Sequence, residues 1–282
     1  QIEGSIVKQY RNLKGVLQMK NYFKTIAMIV SVCIFTAGLL TPTCWSAESE
    51  LVLYFPLDEG KGNSVKGLSD HKHVGKFEGK PKWAGGKFGK ALEFDGASHV
   101  QIPLTKALES LNKDFTVEFW VKKSDKQAGT WNYMVAADRV RWAVIYNSDQ
   151  SVYVWASNPG WSMQAKTKEP LPKEWTHIAV TFDTKDAVKI RFNGQVKAES
   201  GSKPNETIPI QQCYQIGSIA TGGGCPAGEQ KFTGLIDDLV IYKGILSEAE
   251  IKRDIEGSDV GGLAVGPKGK LTTLWSSIRK GH

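Results

Sequence analysis

Two adjacent acids, Asp237 and Asp238, stand inside the apolar run at 234–247, GLIDDLVIYKGILS. The run reads as a turn glycine, a strand with apolar residues at alternating positions, a second glycine turn and the N-cap of a helix. Burying an ionised carboxylate without a partner costs roughly several kcal/mol, so at least one of the two acids must face a cation, backbone N–H groups or water. The fold is therefore expected to close at this strand, with a metal ion as one way of satisfying the pair.

From Glu50 onward the chain is patterned for β structure. Leu51-Val52-Leu53-Tyr54-Phe55 is an apolar run stopped by Pro56, and the turn-rich LDEGKG that follows suits a strand delivering Asp58 into a loop. Residues 61–80 are polar and Gly-rich and read as a surface excursion, with His71 and His73 in solvent. The segment WAGGKFGKALEFDG (83–96) supplies glycines for tight turns and then starts a half-buried strand at Leu92 and Phe94, with a second short strand at 99–103. In FTVEFWV, Phe115, Val117, Phe119 and Val121 share one face by period two. Further strands are expected at 133–137, 140–146, 151–156, 175–182, 188–192 and 195–198, the last two joined by the hairpin signal Asn193-Gly194. One helix stands out, at 247–255, capped by Ser247 with Glu250 three residues on. Many short strands with a single short C-terminal helix predict an all-β, antiparallel sandwich.

The N-terminal part is different. Residues 19–24 are a short basic start, residues 26–40 carry no charge, and Thr41-Pro42-Thr43-Cys44-Trp45-Ser46-Ala47 is a small-residue exit. Together they read as a secretory signal peptide cleaved after Ser46 or Ala47. The uncharged stretch is shorter than the roughly 20 residues of a membrane helix, so no span is expected after cleavage. The expected organisation is an upstream extension and signal peptide over 1–47, one sandwich domain over 48–257, and a Gly-rich linker with a basic tail over 258–282. Without 1–47 the chain holds 31 basic and 28 acidic side chains, a net charge of +3. That charge reads as mild and scattered, and argues against nucleic acid or an anionic membrane surface as a partner. Cys33 and Cys44 leave with the signal segment, and Cys213 and Cys225 remain as an even pair in an oxidising compartment. A disulfide between them, closing a Gly-rich loop, is expected.

The segments LDEGKG, WAGGKFGKALEFDG, FTVEFWVK, EWTHIAVTFD, KIRFNGQV and GLIDDLVIYKGILSEAEI, in this order and spacing, resemble the LamG-like jelly-roll family of the concanavalin A-like lectin and glucanase superfamily. The resemblance covers nearly all of the chain after the signal segment. It implies a jelly-roll sandwich, a disulfide near the C-terminal end that Cys213 and Cys225 match, and a structural calcium between an early and a late acid. By position it nominates Asp58 and Asp237 as ligands, with Asp238 and Asp95 behind them. Hard carboxylate and carbonyl oxygens suit calcium. Without the ion, Asp58 and Asp237 would accept backbone N–H groups instead.

The same superfamily contains glycoside hydrolases, which need two carboxylates about 5 to 5.5 Å apart in the retaining case. The chain has no ExDxE run, nucleophile elbow, HExxH or phosphate loop, and Glu118, the nearest candidate, stands alone. Catalysis is not expected. Trp131, Tyr133, Trp142, Tyr153, Trp155 and Trp161 fall close together, with Asn158 in the loop Ser157-Asn158-Pro159-Gly160. Exposed rings stack on sugars while amides fix hydroxyls, and the remaining rings serve the core. Alternation places Trp142 with Val144 and Tyr146, and Tyr153 with Trp155. Trp131, Trp155 and Trp161 are the rings expected at the surface, with Asn158 beside them. The expected function is a secreted or envelope-held, non-catalytic module that binds a glycan; the alternative is an adhesion module for a cell-surface protein.

Overall fold

In the computed structural model the acid-bearing run is strand β16, and the sheet it belongs to is built around it. The structure describes residues 49–127, 129–138, 141–156, 163–202, 212–220, 225, 231–257, 259–260 and 263–264. In chain order the elements are β1 (Glu50–Phe55), β2 (Ser64–Lys66), β3 (Val74–Glu78), β4 (Lys82–Gly85), β5 (Lys90–Asp95), β6 (His99–Pro103), α1 (Lys106–Glu109) and β7 (Phe115–Lys123). Then come β8 (Trp131–Ala137), β9 (Trp142–Asn147), β10 (Val152–Ala156), β11 (Met163–Lys166), β12 (Thr176–Phe182), β13 (Val188–Phe192), β14 (Gln195–Glu199), β15 (Cys213–Ile216) and β16 (Thr233–Lys243). Helix α2 (Glu248–Glu256) and the small hairpin β17 (Asp259–Val260) and β18 (Leu263–Ala264) complete the described chain.

Two sheets face each other. The first runs β14-β13-β12-β7-β16-β5-β4, with β1 also on β16, and the second runs β11-β10-β9-β8-β15-β6-β3-β2. The ladders within both are antiparallel, so this is the expected jelly-roll sandwich. Alternation decides the core: Phe115, Val117, Phe119 and Val121 of β7 point inward with Ile178, Val180 and Phe182 of β12, against Trp142, Val144 and Tyr146 of β9. Phe115 stacks on Phe182 with ring centroids 4.3 Å apart and meets Trp142 at 5.5 Å. The three aromatic rings fill the space between the sheets at that end.

Strand β16 pairs with β7 along its whole length, but its other edge changes partner. Residues Thr233 to Ile236 pair with β5, and Leu239 to Lys243 pair with β1. The ladder to β7 slips by one residue between Asp237 and Val240, and Asp238 takes the left-handed conformation, φ 50°. This is a β-bulge, and the extra residue keeps Ile236, Leu239 and Ile241 all facing the core. Both acids therefore sit at the joint between two strand partners, where the ladder is interrupted and backbone donors from elsewhere can approach.

Helix α2 starts at the expected capping box: Ser247 Oγ accepts from Glu250 N–H, and the Glu250 carboxylate accepts from Ser247 N–H at 2.7 Å. Gly257 ends it at φ 65°. Leu246 and Ile251 lay the helix on the outer side of the first sheet, over Tyr54, Ala179, Val240 and Tyr242. Three expectations differ. Residues 61–80 contain β2 and β3 rather than a plain excursion, because Val65 and Gly75 sit in register and face the core side at the sandwich edge. His73 is buried and shares a hydrogen bond with Thr105 at 3.1 Å, so only His71 reaches solvent. Past residue 257, the chain read as linker forms β17 and β18, and Val260 packs into the cluster under α2.

Candidate functional site

The joint in β16 brings together the early and late acids. Asp237 is fully buried and its Oδ2 accepts the Phe88 N–H at 3.1 Å; Asp58 Oδ1 accepts the Lys90 N–H at 2.6 Å. Both carboxylates thus face one tight turn, 86–90, which is closed by the Gly86 N–H to Gly89 carbonyl bond at 3.0 Å. The turn needs its glycines. A Cβ on Gly86 would lie 2.6 Å from Asp237 Oδ2, and one on Gly89, at φ 70°, would lie 2.4 Å from Asp58 Oδ1. The GGKFG motif is therefore a cradle shaped by the two carboxylates.

Asp238 turns to the other side of the strand, where Tyr54 Oη donates to its Oδ1 at 2.9 Å. Burial holds the Tyr54 phenol far above its ordinary range, reinforced by the Asp238 charge and hydrogen bond and by the Asp237 and Asp58 charges. Asp95 does not join them. It lies at the far end of β5 from Lys90, about 16 Å away along the strand, and its Oδ1 accepts the Ala97 and Ser98 N–H groups in a local turn. Those donors, Ala97 first, hold its carboxyl below the ordinary range. Among the described residues no group of three or more His, Cys, Asp or Glu side chains is arranged to hold a metal ion. A calcium here would rest on two carboxylates, Asp58 and Asp237, completed by carbonyl oxygens.

The aromatic residues gather on the outward face of the second sheet. Tyr133, Ile145 and Tyr153 form one cross-strand row, and Ala136, Ala143 and Trp155 form the next. Trp131 is 37% exposed, and its ring lies 5.5 Å from that of half-buried Tyr153 at an angle of 53°. Trp155, expected at the surface, is a correction: it faces away from the inter-sheet core yet is only 3% exposed. The small side chains of Ala136 and Ala143 leave room for the indole, and Ile219 packs with it from the chain after β15. The expected Cys213–Cys225 disulfide is present, and Ala220 packs against it, so the bridge ties this returning segment to the start of β15. Burial raises the Tyr133 phenol, an effect partly offset by a hydrogen bond from the Trp155 side chain. Trp161 and Asn158 lie outside the described residues.

Glu118 is wholly buried on the outward face of β7, in the cross-strand row Val240-Glu118-Ala179-Arg191 beneath α2. Its carboxyl is pushed well above its ordinary range by burial, then by the charge of Asp254 on α2 and a hydrogen bond with it, while Arg191 works in the opposite direction. Enclosed between sheet and helix, it has no surface to offer a substrate. Sequence reading missed the Tyr54 to Asp238 pair, since nothing in an alternating apolar strand marks which ring will meet a bulged acid. It also missed the reason for Gly86 and Gly89, although the motif itself was the signal.

The chain is thus an antiparallel two-sheet jelly roll with an outward aromatic face and an acid-lined Gly turn. The chain belongs to the concanavalin A-like lectin/glucanase superfamily, whose family model matches residues 94–252. Its fold is similar to that of domain 4 of AbnA, a GH43 extracellular arabinanase from Geobacillus stearothermophilus solved with arabinotriose, at TM-score 0.58 and 22% identity over 74% of this chain and 98% of that one. It is also similar to the binding domain of Paraclostridial Mosquitocidal Protein 1, at 0.57 and 15% over 74% and 52%. The binding domain of botulinum neurotoxin DC in complex with SialylT gives 0.58 and 12% over 74% and 51%. The chain thus spans about half the length of the two toxin domains. No curated protein matches it.

Proposed function

We propose that this is an extracellular, non-catalytic carbohydrate-binding module whose sugar packs on Trp131 and Tyr153 at the outward face of the second sheet. The observation that carries this reading is the exposed Trp131 indole of β8 set against Tyr153 of β10 across the intervening β9, a platform for the apolar face of a sugar ring. Two fold neighbours were solved with oligosaccharides, arabinotriose in one and SialylT in the other, which supports the class of ligand. Export is supported by the signal-like segment at 19–47 and by the disulfide. Among the described residues no helix is long and apolar enough to cross a membrane. A glycan array is the test. Reproducible binding that falls about tenfold or more in Trp131→Ala supports the reading. Capture of a specific protein with no glycan bound would replace it by the adhesion alternative.

We further propose that Asp58 and Asp237 hold a structural calcium at the turn 86–90. Two carboxylates aimed at one Gly-shaped cradle are the support, and the ion would offset the buried charge of Asp237. Thermal melting with calcium and with a chelator checks this. The midpoint is expected to rise with calcium in the wild type and not in Asp237→Asn. An unchanged wild-type midpoint would leave the backbone N–H groups of Phe88 and Lys90 as the acids' partners.

A further inference from the structure

Part of the positive charge that reads as scattered in the sequence lies along one edge of the fold. Residues 61–90 carry eight lysines, no arginine and only two acids, Asp70 and Glu78, a net charge of +6, while the rest of 48–257 sums to −6. All eight lysines are exposed, and among the described residues none of them makes an ion pair. Lys66 and Lys82 lie on β2 and β4, the terminal strands of the two sheets, and Lys76 lies on β3 beside β2. These strands meet at the same side of the sandwich, where Phe77 and Trp83 bring their rings to 5.9 Å. The other five lysines lie in the connections around them or, for Lys90, at the start of β5.

The opposite edge provides the comparison. There β11 lies against β13 and β14, and three lysines of that region are paired with acids. Lys166 pairs with Asp149 at 2.6 Å, Lys189 with Asp186 at 2.6 Å and Lys197 with Glu169 at 2.8 Å. Lysines on edge strands deter pairing with another sheet, and that role accounts for Lys66 and Lys82 but not for Lys76, whose strand is paired on both sides. It does not account for Lys61, Lys72 or Lys80, which lie in connections where no ladder is open. Of the eight, Lys82 has Glu93 opposite it in the β4–β5 ladder, the Glu59 and Asp58 carboxylates accept the Lys66 and Lys90 N–H groups, and Lys87 lies 4.4 Å over the Trp120 ring; Lys61, Lys72, Lys76 and Lys80 remain as the group whose charge raises the local concentration of anions and speeds their capture.

We propose that the β2-β3-β4 edge is a second binding surface, for a linear polysaccharide carrying carboxylate or sulfate groups. The segment holds lysine and no arginine, and lysines are point charges on flexible stems that suit a flexible anionic chain. The rings nearby are turned inward, Phe77 and Trp83 against the core and Phe88 against Trp120, so no platform for stacking bases is offered. The surface stands apart from Trp131, with β15 and β6 between β8 and β3, and the inference does not rest on the aromatic-face reading.

The test is affinity electrophoresis of the purified protein in gels containing polygalacturonate, dextran sulfate or neutral dextran, at low and at raised sodium chloride. Retardation by one or both charged polymers, lost with salt and absent with dextran, is expected, and which polymer acts tells carboxylate from sulfate. A Lys61→Gln, Lys72→Gln, Lys76→Gln, Lys80→Gln variant should bind about tenfold or more weakly. An equal charge change elsewhere, at Lys126, Lys168, Lys185 and Lys252, should leave binding within about twofold of wild type. No retardation of the wild type, or equal loss in the two variants, overturns the proposal. Equal binding to duplex DNA or to phosphatidylserine vesicles assigns the edge to general electrostatics and overturns it as well. Trp131→Ala should keep polyanion binding; loss there would move the site to the aromatic face.

Discussion

Trp155→Ala is expected to cost about 3 to 5 kcal/mol of stability, the range for emptying a buried indole site, and so to lower the thermal midpoint by roughly 10 °C. The indole is 3% exposed and lies over Ala136 and Ala143 with Ile219 against it, so truncation leaves a cavity between the sheet and the segment tied down by Cys213–Cys225. Trp131→Ala is expected to shift the midpoint by no more than about 2 °C, since over a third of that side chain is already in water. Circular dichroism melts of the two variants check the contrast. Equal, small shifts would mean that Trp155 is not packed as described. The contrast also fixes which ring can be used to probe ligand binding: loss of binding in Trp155→Ala would report unfolding, whereas loss in Trp131→Ala reports a contact.

Glu118→Gln is expected to stabilise the protein at neutral and alkaline pH and to have no effect near pH 4. Glu118 and Asp254 face each other between β7 and α2, and two ionised carboxylates have no hydrogen to share. The pair bonds only while Glu118 keeps its proton, leaving Asp254 to accept from Tyr242 Oη. Other groups facing the pair are Arg191 on β13, which donates to Thr181 at 3.2 Å, and Glu250 on α2. His177 on the same outward face of β12 is held neutral, its pKa pushed down to about 3 by burial. The sign follows from linkage. Because the folded-state pKa of Glu118 is raised above the unfolded value, the folded form binds more protons. Its contribution is complete below the ordinary carboxylate range, near pH 4.5, and is lost as pH rises through the folded value. A glutamine amide supplies the hydrogen permanently and should add about 1 to 4 kcal/mol where the acid would otherwise ionise. Melts of both proteins at pH 4, 6 and 8 check this; curves that stay parallel across that range would show that Glu118 titrates normally.

Much of the fold was legible because its signals are local. The alternation of Phe115, Val117, Phe119 and Val121, the Asn193-Gly194 turn and the Ser247 to Glu250 cap each need only a few neighbouring residues to be read. Strands β2, β3, β11 and β15 were not legible. They are three to five residues long, and β2 and β3 are rich in lysine and glycine, taking their strand character from the neighbour they pair with. The acids were found at the right place for a physical reason, the cost of burying charge in an apolar strand. What satisfied them was hidden, because Phe88 lies 149 positions from Asp237 and Tyr54 lies 184 from Asp238. Trp155 was misplaced because alternation says which face a ring takes and nothing about what later covers that face. The lysine edge was missed because net charge averages over positions that the fold separates.

The change of partner along β16 also sets the order in which the molecule can assemble. Phe55 pairs with Leu239 and Ile236 with Leu92, so β1 and β5 become neighbours in the first sheet only through a strand made near the end of the domain. Until β16 is available, β1 lacks its ladder and one side of β7 is open, and the earlier strands wait as unpaired edges. Contacts over such sequence separations make folding slow relative to helical domains of this size. A chain cut before residue 233 would be left as an association-prone fragment, and the nascent domain remains threadable until β16 has been synthesised.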